Sequence, residues 1–273
     1  MEGIGFVYAR GTSFSQRALE GVSLSVAPGE LILVLGATGS GKSTLLRIAA
    51  GLLEGAEGSA MIDEDKLSRA SARGRVGLVF QDPEAQLFAE TVEDDVAFGP
   101  RNMGVAEAAT GIAVADALKR VGLPPVEYAQ RSPFSLSGGE ARRAAIAGVL
   151  AFRPSYLLLD EPTAGLDARG RRAVKDIVSE ARDHAGVVVV SHSAEEFLGV
   201  ADRVLILAGG AAVYDGRADD LIADPSPFAL AGLLAPEVLR VQMLARDRGC
   251  RIGLFTLDPV QAAELLVRTT GGE

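Results

Sequence analysis

The 273-residue chain contains no tryptophan, two histidines and a single cysteine, Cys250. Because one thiol forms neither an internal disulfide nor a multi-cysteine metal site, these two ways of stabilising a fold are excluded. We expect Cys250 to be a partly buried free thiol in a reducing compartment. The formal net charge of -9 also disfavours a nucleic-acid binder, since such proteins usually carry a basic surface.

The sequence also lacks a long apolar run and a signal segment at its start. Residues 1–3 lead directly into strand-like sequence, without a basic and then apolar stretch. The longest apolar candidate, residues 144–152, is bracketed by Arg143 and Arg153 and falls short of the roughly 18 to 20 residues of a membrane helix. We therefore expect a soluble, cytosolic protein that reaches the cytoplasmic face of the cell membrane through membrane partners.

The most informative motif is a glycine-rich segment, Gly36-Ala37-Thr38-Gly39-Ser40-Gly41-Lys42-Ser43, followed by Thr44. It lies between residues 31–35, typical of a buried strand, and residues 44–49, typical of a helix start. Such a turn directs successive backbone N–H groups at one anion. Lys42 can reach the β- and γ-phosphates of a nucleotide, and the Ser43 hydroxyl can ligate magnesium. A turn that merely matches the pattern would not need this strand and helix, so the sequence predicts a nucleoside-triphosphate site.

Three further predicted strands end in polar side chains. Strand 75–80 is followed by Gln81, the apolar strand that starts at Tyr156 ends in Asp160-Glu161, and strand 186–191 is followed by His192. Ligands of open α/β sheets bind at the carboxyl ends of the strands. We expect Asp160 to hold a metal ion, Glu161 to orient and deprotonate a water, and Gln81 to ligate magnesium or position water. His192 is assigned a phosphate-sensing role. The alternative for these residues is a solvated turn.

A second glycine motif, Leu136-Ser137-Gly138-Gly139-Glu140, precedes a predicted helix. Ser137 and Glu140 have the spacing of a capping box. A capping box does not require two glycines, which lower helix propensity. Glycines at a helix N-terminus, beside a hydroxyl, allow a phosphate to approach closely. We therefore favour a phosphate contact over a helix cap alone.

The rest of the pattern alternates short strands with helices. It predicts further strands at 5–8, 22–26, 59–62, 203–207 and 211–214, helices at 106–121, 141–150, 168–184, 236–247 and 259–267, irregular structure at 87–105, and a boundary at 224–227.

The order of the five motifs resembles the nucleotide-binding subunit of ATP-binding cassette (ABC) proteins across residues 2–225, and Leu-Ser-Gly-Gly is the most discriminating part. The resemblance implies an α/β fold of the P-loop NTPase class, with N-terminal antiparallel β strands and a helical subdomain, about 88–152, that carries the signature motif. It implies a head-to-tail dimer in which Ser137-Gly138-Gly139-Glu140 closes over the ATP of the other subunit. By that likeness Tyr8 would stack on adenine, and Asp167 would carry contacts between the two sites.

Residues 80–88 and 91–100 are similar to the ATPases of energy-coupling-factor (ECF) transporters, which import vitamins and transition-metal ions. This resemblance implies Mg-ATP hydrolysis, a second ABC ATPase subunit in a homo- or heterodimer, a transmembrane coupling subunit and a substrate-binding membrane subunit. It also suggests that a nucleotide-binding domain, 1–228, is followed by a C-terminal helical extension, 229–273, that holds two ATPase chains together. The alternative for the extension is packing on its own domain.

Three apolar residues in the segment predicted to be irregular, Phe88, Val92 and Phe98, are expected to include some that line a groove for helices of a membrane subunit. The alternative is that all three are core residues. One position departs from the family pattern, since Glu140 stands where glutamine is usual. A carboxylate keeps the capping role but adds negative charge near a bound triphosphate.

A rival function is that of a soluble ABC ATPase acting as an assembly factor, for example in iron–sulfur cluster biogenesis. A chromosome- or repair-type ATPase would need a long heptad insertion between the two glycine motifs, and the sequence has none.

Overall fold

The computed structural model describes residues 1–82 and 86–270, with side chains described up to Val267. The strands are β1 (Glu2–Tyr8), β2 (Gln16–Val22), β3 (Leu31–Gly36), β4 (Glu57–Ser59), β5 (Met61–Ile62), β6 (Asp65–Lys66), β7 (Val76–Val79), β8 (Tyr156–Asp160), β9 (Gly186–Ser191), β10 (Arg203–Ala208) and β11 (Ala211–Arg217). The helices are α1 (Lys42–Ala49), α2 (Arg69–Ala72), α3 (Val92–Asn102), α4 (Glu107–Arg120), α5 (Pro125–Tyr128), α6 (Gly138–Leu150), α7 (Ala168–Ala181), α8 (Ala218–Ala223), α9 (Ser226–Leu230), α10 (Glu237–Asp247) and α11 (Pro259–Thr270).

A six-stranded sheet in the order β11-β10-β3-β9-β8-β7 forms the centre of the fold. Its strands pair in parallel except for the antiparallel edge strand β11. A separate antiparallel sheet, β2-β1-β4, contains the N-terminal strands. The expected α/β fold with N-terminal antiparallel strands is therefore confirmed.

Both faces of the central sheet are covered, as parallel strands require. Leu31, Leu33 and Leu35 of β3 join one buried cluster, which contains the apolar residues of α3, α4, α6 and α7. Ile32 and Val34 join the other cluster, with residues of β1, β2 and α1. This alternation is the two-residue period of a strand. Because the inner strands are parallel, the residues after β3, β7, β8 and β9 meet at one edge.

The prediction of irregular structure at 87–105 was wrong, since α3 spans Val92–Asn102. The Thr91 hydroxyl caps this helix by accepting a hydrogen bond from the Asp94 N–H at 3.2 Å. Glu93, Asp94 and Asp95 occupy its first turn, where acidic side chains interact favourably with the helix dipole. The segment mixes apolar residues such as Val92 and Val96 with these acids, which gave no clear period in the sequence, and Pro100 is buried inside the helix near its end.

Three other predicted bounds need correction. The strand expected at 22–26 lies earlier, at Gln16–Val22, where it pairs with β1 through Ile4 and Val22. Residues 59–62 are divided between two short strands, because β4 ends at residue 59, Ala60 belongs to neither strand, and residues 61–62 form β5. The helix expected to reach His184 ends at Ala181.

The C-terminal helices α10 and α11 form where the sequence predicts them. Leu239 of α10 and Phe255 of the following loop are buried in the same cluster as Phe228 and the central helices. Other apolar side chains of this tail are well exposed, namely Leu234, Val241, Leu244, Leu254, Val260 and Val267. One face of the tail thus packs on its own domain, whereas other apolar side chains of its described residues are exposed. Across the described part of the chain, no helix combines the length and the apolar composition needed to cross a membrane.

Candidate functional site

The glycine-rich segment forms a tight loop between β3 and α1. Gly41 precedes the helix with φ of 102°, a conformation that favours glycine, and a Cβ there would lie 2.5 Å from the Ala18 carbonyl oxygen. A Cβ at Gly36 would lie 2.6 Å from the Leu207 carbonyl oxygen. Both positions therefore need glycine for steric reasons, and the loop directs the N-terminus of α1 toward a cavity.

That cavity, of about 230 Å³, is lined by part of the loop and by the N-terminal strands. Its lining residues are Tyr8, Gln16, Ala18, Gly39, Gly41, Lys42, Ser43 and Thr44. The Tyr8 hydroxyl lies 3.1 Å from the Thr44 hydroxyl, and the Tyr8 ring meets the Phe6 ring edge-on at 4.9 Å between centroids. The structure thus brings Tyr8 to the predicted nucleotide loop.

Lys42 is nearly buried and donates from Nζ to the carbonyl oxygens of Gly36 at 2.7 Å and Ala37 at 3.0 Å. Burial lowers the pKa of Lys42, while the nearby carboxylates of Glu161 and Asp160 oppose that lowering. The ammonium is therefore held among the loop carbonyls with acidic groups close by, which suits a group that neutralises phosphate.

Asp160 lies at the end of β8, where its side chain is 6% exposed. Burial raises the pKa of Asp160, and a hydrogen bond from Ser43 and the charge of Lys42 act in the opposite direction. Its Oδ1 atom is buried and has no hydrogen-bond partner within the described ranges. A carboxylate oxygen without a partner, beside a hydroxyl, is the kind of donor set that Mg²⁺ prefers, so these residues fit a magnesium ion.

Glu161 is buried and adopts φ of 49°, which is uncommon for a residue with a side chain. Its backbone N–H donates to the Val190 carbonyl oxygen at 3.0 Å, which holds it against β9. His192 Nδ1 lies 2.8 Å from Glu161 Oε2, with the histidine side chain 65% exposed. His192 is therefore in contact with the carboxylate that we expected to act as base, and it orients that carboxylate.

The motif 136–140 begins α6 and does form a capping box. The Ser137 Oγ accepts from the Glu140 N–H at 3.4 Å, and Glu140 Oε2 accepts from the Ser137 N–H at 2.8 Å and from the Ser137 hydroxyl at 2.7 Å. Glu140 Oε1 accepts from the Tyr128 hydroxyl at 2.8 Å. These donors, with those of Ser137 contributing most, lower the pKa of Glu140 to about 2.

The capping motif does not line the nucleotide cavity of its own chain. Gly138 and Gly139 instead line a groove together with Gln81, Asp82, Arg142 and residues 164–166. The Gln81 side chain is exposed, and its carbonyl oxygen accepts from Arg142 at 3.0 Å. Pro83, Glu84 and Ala85, part of the segment on which the ECF resemblance rests, lie outside the described residues.

Of the three apolar residues expected near a groove, Val92 is core and the other two are not. Phe88 is 60% exposed and Phe98 is 50% exposed, and their rings meet edge-on at 4.9 Å. They line a cavity of about 290 Å³ together with Leu87, Met103, Val149 and Phe152, among others. Buried Asp95 holds this segment by accepting from the N–H groups of Phe88 and Ala89, each at 3.1 Å.

Sequence reasoning missed several of these residues. Gln16 and Ala18 reach the nucleotide cavity from β2, and no motif marks them. Tyr128 and Asp95 act through hydrogen bonds, to Glu140 and to the N–H groups of residues 88 and 89, that no motif indicates. The sequence does not distinguish Arg142 from Arg143, since both lie between Ala141 and Ala144, and only the structure shows that Arg142 is buried.

Comparisons with known proteins agree with this geometry. A family model described as ABC transporter matches residues 19–164. An energy-coupling factor transporter ATP-binding protein, EcfA2, of Symbiobacterium thermophilum is 45% identical over 270 residues, covering 96% of this chain and 93% of the relative. CbiO1 of Clostridium perfringens, described as part of the ABC transporter complex CbiONQ, superposes with a TM-score of 0.73 at 30% identity, covering 89% of this chain and 97% of that chain.

A dimeric post-hydrolysis structure of the ATP-binding cassette MJ0796, bound to ADP and Pi, superposes with a TM-score of 0.71 at 26% identity. It covers 80% of this chain and 97% of that chain. Sequence and structure therefore give the same assignment, and the chain belongs to the ABC transporter family, among the energy-coupling factor transporter ATP-binding proteins.

Proposed function

We propose that this chain hydrolyses Mg-ATP as one of two ATPase subunits and powers uptake of a vitamin or transition-metal ion through membrane subunits. The observation that carries the proposal is the buried edge at which Lys42, Asp160 and Glu161 converge. Lys42 would neutralise the β- and γ-phosphates, and Tyr8 would contact the adenine. The relatives named as transporter ATP-binding proteins span nearly the whole chain, which favours transport over a soluble assembly factor.

Bound magnesium would be held by Ser43, Gln81 and Asp160, and it would offset the negative charge of the phosphates. Glu161 would orient a water and accept its proton, because its carboxylate lies at the same edge with one oxygen held by His192. Holding the carboxylate in one orientation reduces the reorganisation needed at reaction. The uncommon φ of Glu161 sets the direction from which its side chain enters the site.

A complete site requires a second chain in this proposal. Gly138 and Gly139 of the motif Ser137-Gly138-Gly139-Glu140 line a separate groove rather than the nucleotide cavity, so the motif's phosphate contact would be made to the ATP of another subunit. The neighbour MJ0796, solved as a dimer, supports this arrangement by likeness. Residues 164–166 line the same groove as Gly139. Asp167, which would contact the partner, follows them directly in the sequence.

The surface formed by Phe88 and Phe98 is the proposed docking site for the transmembrane coupling subunit. Two exposed aromatic rings over a cavity are more apolar surface than a solvated loop normally leaves uncovered. An amphipathic helix end from a membrane subunit would cover them. This contact would hold the chain at the cytoplasmic face of the membrane, and a separate membrane subunit would bind the solute.

The exposed apolar face of α10 and α11 would hold the two ATPase chains together in the absence of nucleotide. Leu244 and Val241 lie on the opposite side of α10 from the buried Leu239. The same helix can therefore pack on its own domain and still offer apolar surface to a second chain. Residues 229–273 act as a dimerisation extension in this proposal, after a nucleotide-binding domain of residues 1–228.

The proposal is tested by steady-state ATP hydrolysis and by equilibrium ATP binding of the full chain. Lys42→Ala should abolish turnover, and Glu161→Gln should retain ATP binding while turnover falls by about 10²-fold or more, the range for loss of a general base. Glu64→Gln, an exposed residue far from the motifs in sequence, serves as the matched control and should change neither measurement. Equal turnover in the native chain and Glu161→Gln would contradict the assigned roles.

A further inference from the structure

Arg142 lies in the second turn of α6, four residues after Gly138, and is 6% exposed. Its guanidinium donates from Nη1 to the Ala164 carbonyl oxygen and from Nη2 to the Gln81 carbonyl oxygen, the latter at 3.0 Å. One side chain therefore connects the start of α6 to two loops that follow different strands. Ala164 and Gln81 are 83 positions apart in sequence, and they follow the neighbouring parallel strands β8 and β7.

Each of these loops leads to a group expected to act on ATP. The Ala164 N–H donates to the Glu161 carbonyl oxygen at 3.2 Å, which closes the turn that begins at Glu161. Holding the Ala164 carbonyl therefore stabilises the turn in which Glu161 adopts its uncommon φ of 49°. The other carbonyl belongs to Gln81 itself, so its position sets where the Gln81 side chain starts.

An arginine suits this position better than a lysine. The planar guanidinium presents several N–H donors in a fixed fork, which allows it to hold two carbonyl oxygens at once. A lysine ammonium on a flexible stem holds two separated acceptors less rigidly. Because a buried charge is costly unless its hydrogen-bonding groups are paired, the guanidinium resists leaving these carbonyls.

The same helix begins with Gly138 and Gly139, which face the groove assigned to the other chain's ATP. A helix turn is rigid compared with a loop, so a shift of these glycines carries Arg142 with it. A shift of Arg142 in turn displaces the carbonyls of Ala164 and Gln81. The contact made with the partner's ATP and the groups acting on the chain's own ATP are thus connected through one side chain.

We propose that Arg142 is a positioning residue that couples the two ATP sites, transmitting engagement of the signature motif to Glu161 and Gln81 of the same chain. This inference rests on the proposed two-chain function. Arg142 also lines the groove beside Gly138 and Gly139, but in this role it acts through the two backbone carbonyls.

The test compares Arg142→Lys with Arg172→Lys, an exposed arginine on α7, in the full-length chain. Hydrolysis is measured against ATP concentration, together with ATP affinity at equilibrium and the melting temperature. For Arg142→Lys we expect kcat to fall by about tenfold and the Hill coefficient to drop toward one, within the usual range of coupling between sites. The ATP affinity of the chain's own nucleotide cavity should stay within about twofold, since Arg142 does not line that cavity. Arg172→Lys should behave as the native chain.

The outcomes separate coupling from a purely structural role. A lower melting temperature with an unchanged Hill coefficient would show that Arg142 only stabilises the fold, and unchanged kinetics would also overturn the inference. If Arg142→Lys fails to fold, Arg142→Gln, which keeps one amide donor group, replaces it, and an unchanged Hill coefficient there overturns the inference equally. Gly139→Asp in the same assay checks the underlying proposal, because normal turnover in that variant refutes the two-chain site itself.

Discussion

Replacing Glu140 by glutamine removes a charge from the capping box while preserving the shape of the side chain. Glu140 accepts three hydrogen bonds, from the N–H and the hydroxyl of Ser137 and from the hydroxyl of Tyr128. A glutamine retains one acceptor oxygen and turns the other position into a donor. The variant therefore tests both the stability that the carboxylate supplies and the orientation it imposes on the Ser137 hydroxyl.

The stability effect follows from the pKa of Glu140, which these hydrogen bonds lower from 4.5 to about 2. That lowering corresponds to about 3 kcal/mol before screening by water. Because the hydrogen bonds lie at the surface, we reduce the expected loss in Glu140→Gln to about 1 kcal/mol, the usual worth of a helix cap. A carboxyl with a lowered pKa in the folded state stabilises the fold fully above its unfolded pKa, and this contribution is lost as the pH falls from about 4.5 toward 2.

Urea unfolding measures this difference directly. The free energy of unfolding of the native chain should exceed that of Glu140→Gln by about 1 kcal/mol near neutral pH, and the difference should shrink by about half near pH 3. Glu127→Gln is the matched control. The contact described for the Glu127 carboxylate is an exposed ion pair with Arg131 at 2.9 Å. Such a pair contributes about 0 to 1 kcal/mol, and its loss should leave the capping box intact.

Glu140→Gln is expected to lower the stability of the chain but to raise the affinity of the ATP-dependent dimer. The Ser137 hydroxyl has one proton and donates it to Glu140, so it cannot donate to a phosphate of the other chain at the same time. A glutamine amide can donate to Ser137 Oγ instead, which frees the proton, and it removes a negative charge near the triphosphate. We expect Glu140→Gln to tighten the ATP-dependent dimer by about fivefold, the worth of one hydrogen bond. Light scattering with Mg-ATP, in a Glu161→Gln background that slows hydrolysis, measures this.

A less stable chain that forms a tighter ATP-dependent dimer is thus the expected combination. A dimer that weakens in Glu140→Gln would refute the reasoning about the Ser137 proton. An unfolding difference that does not change between neutral and acidic pH would refute the assigned role of the carboxylate charge.

Three further predictions concern the groove, the docking surface and the tail. Gly139→Asp should abolish steady-state ATP hydrolysis but not ATP binding, because it would place a negative charge beside the triphosphate of the other chain. The fold should be retained, since a Cβ there meets Leu166 at an ordinary 3.6 Å and an acid suits a first helical turn. Normal turnover of Gly139→Asp would reduce the motif to a cap. Phe88→Ser should lower transport in reconstituted vesicles by about tenfold or more with an unchanged melting temperature, since the ring is exposed, and early melting would instead indicate a core role. Leu244→Glu should dissociate the nucleotide-free dimer in sedimentation experiments without unfolding the monomer, with the exposed Glu264→Gln as control; a persistent dimer would contradict the role of the tail.

The parts of the site that could be predicted are those whose geometry follows from local sequence. The loop at 36–43 and the acids after β8 were found because a strand, a turn and a helix are specified by neighbouring residues. Helix α3 was missed because apolar and acidic residues are mixed in this segment, whereas the Thr91 cap and the packing of Val92 and Val96 decided the structure. Local signals conflicted there, and burial determined the outcome.

In the C-terminal tail the sequence predicted the helices but not their packing. Both helices were predicted from their periodicity, yet the sequence left open which surface their apolar residues cover. In the structure Leu239 is fully buried against the domain, while Leu244, five residues later, is 57% exposed. Helical periodicity places these two leucines on different sides of α10, but only the packing of α10 against the central helices decides which side is buried.

The sequence by itself determined the strands of the central sheet, the phosphate-binding loop, the order of the motifs and the family, because each depends on residue types at short spacing. The tertiary structure alone decided that His192 contacts Glu161, that Tyr128 reaches Glu140 and that Arg142 joins Ala164 to Gln81. These contacts connect residues between 12 and 61 positions apart. Hydrogen bonds depend on distances of about 3 Å and on direction, which the packing of sheet and helices fixes and no local pattern encodes.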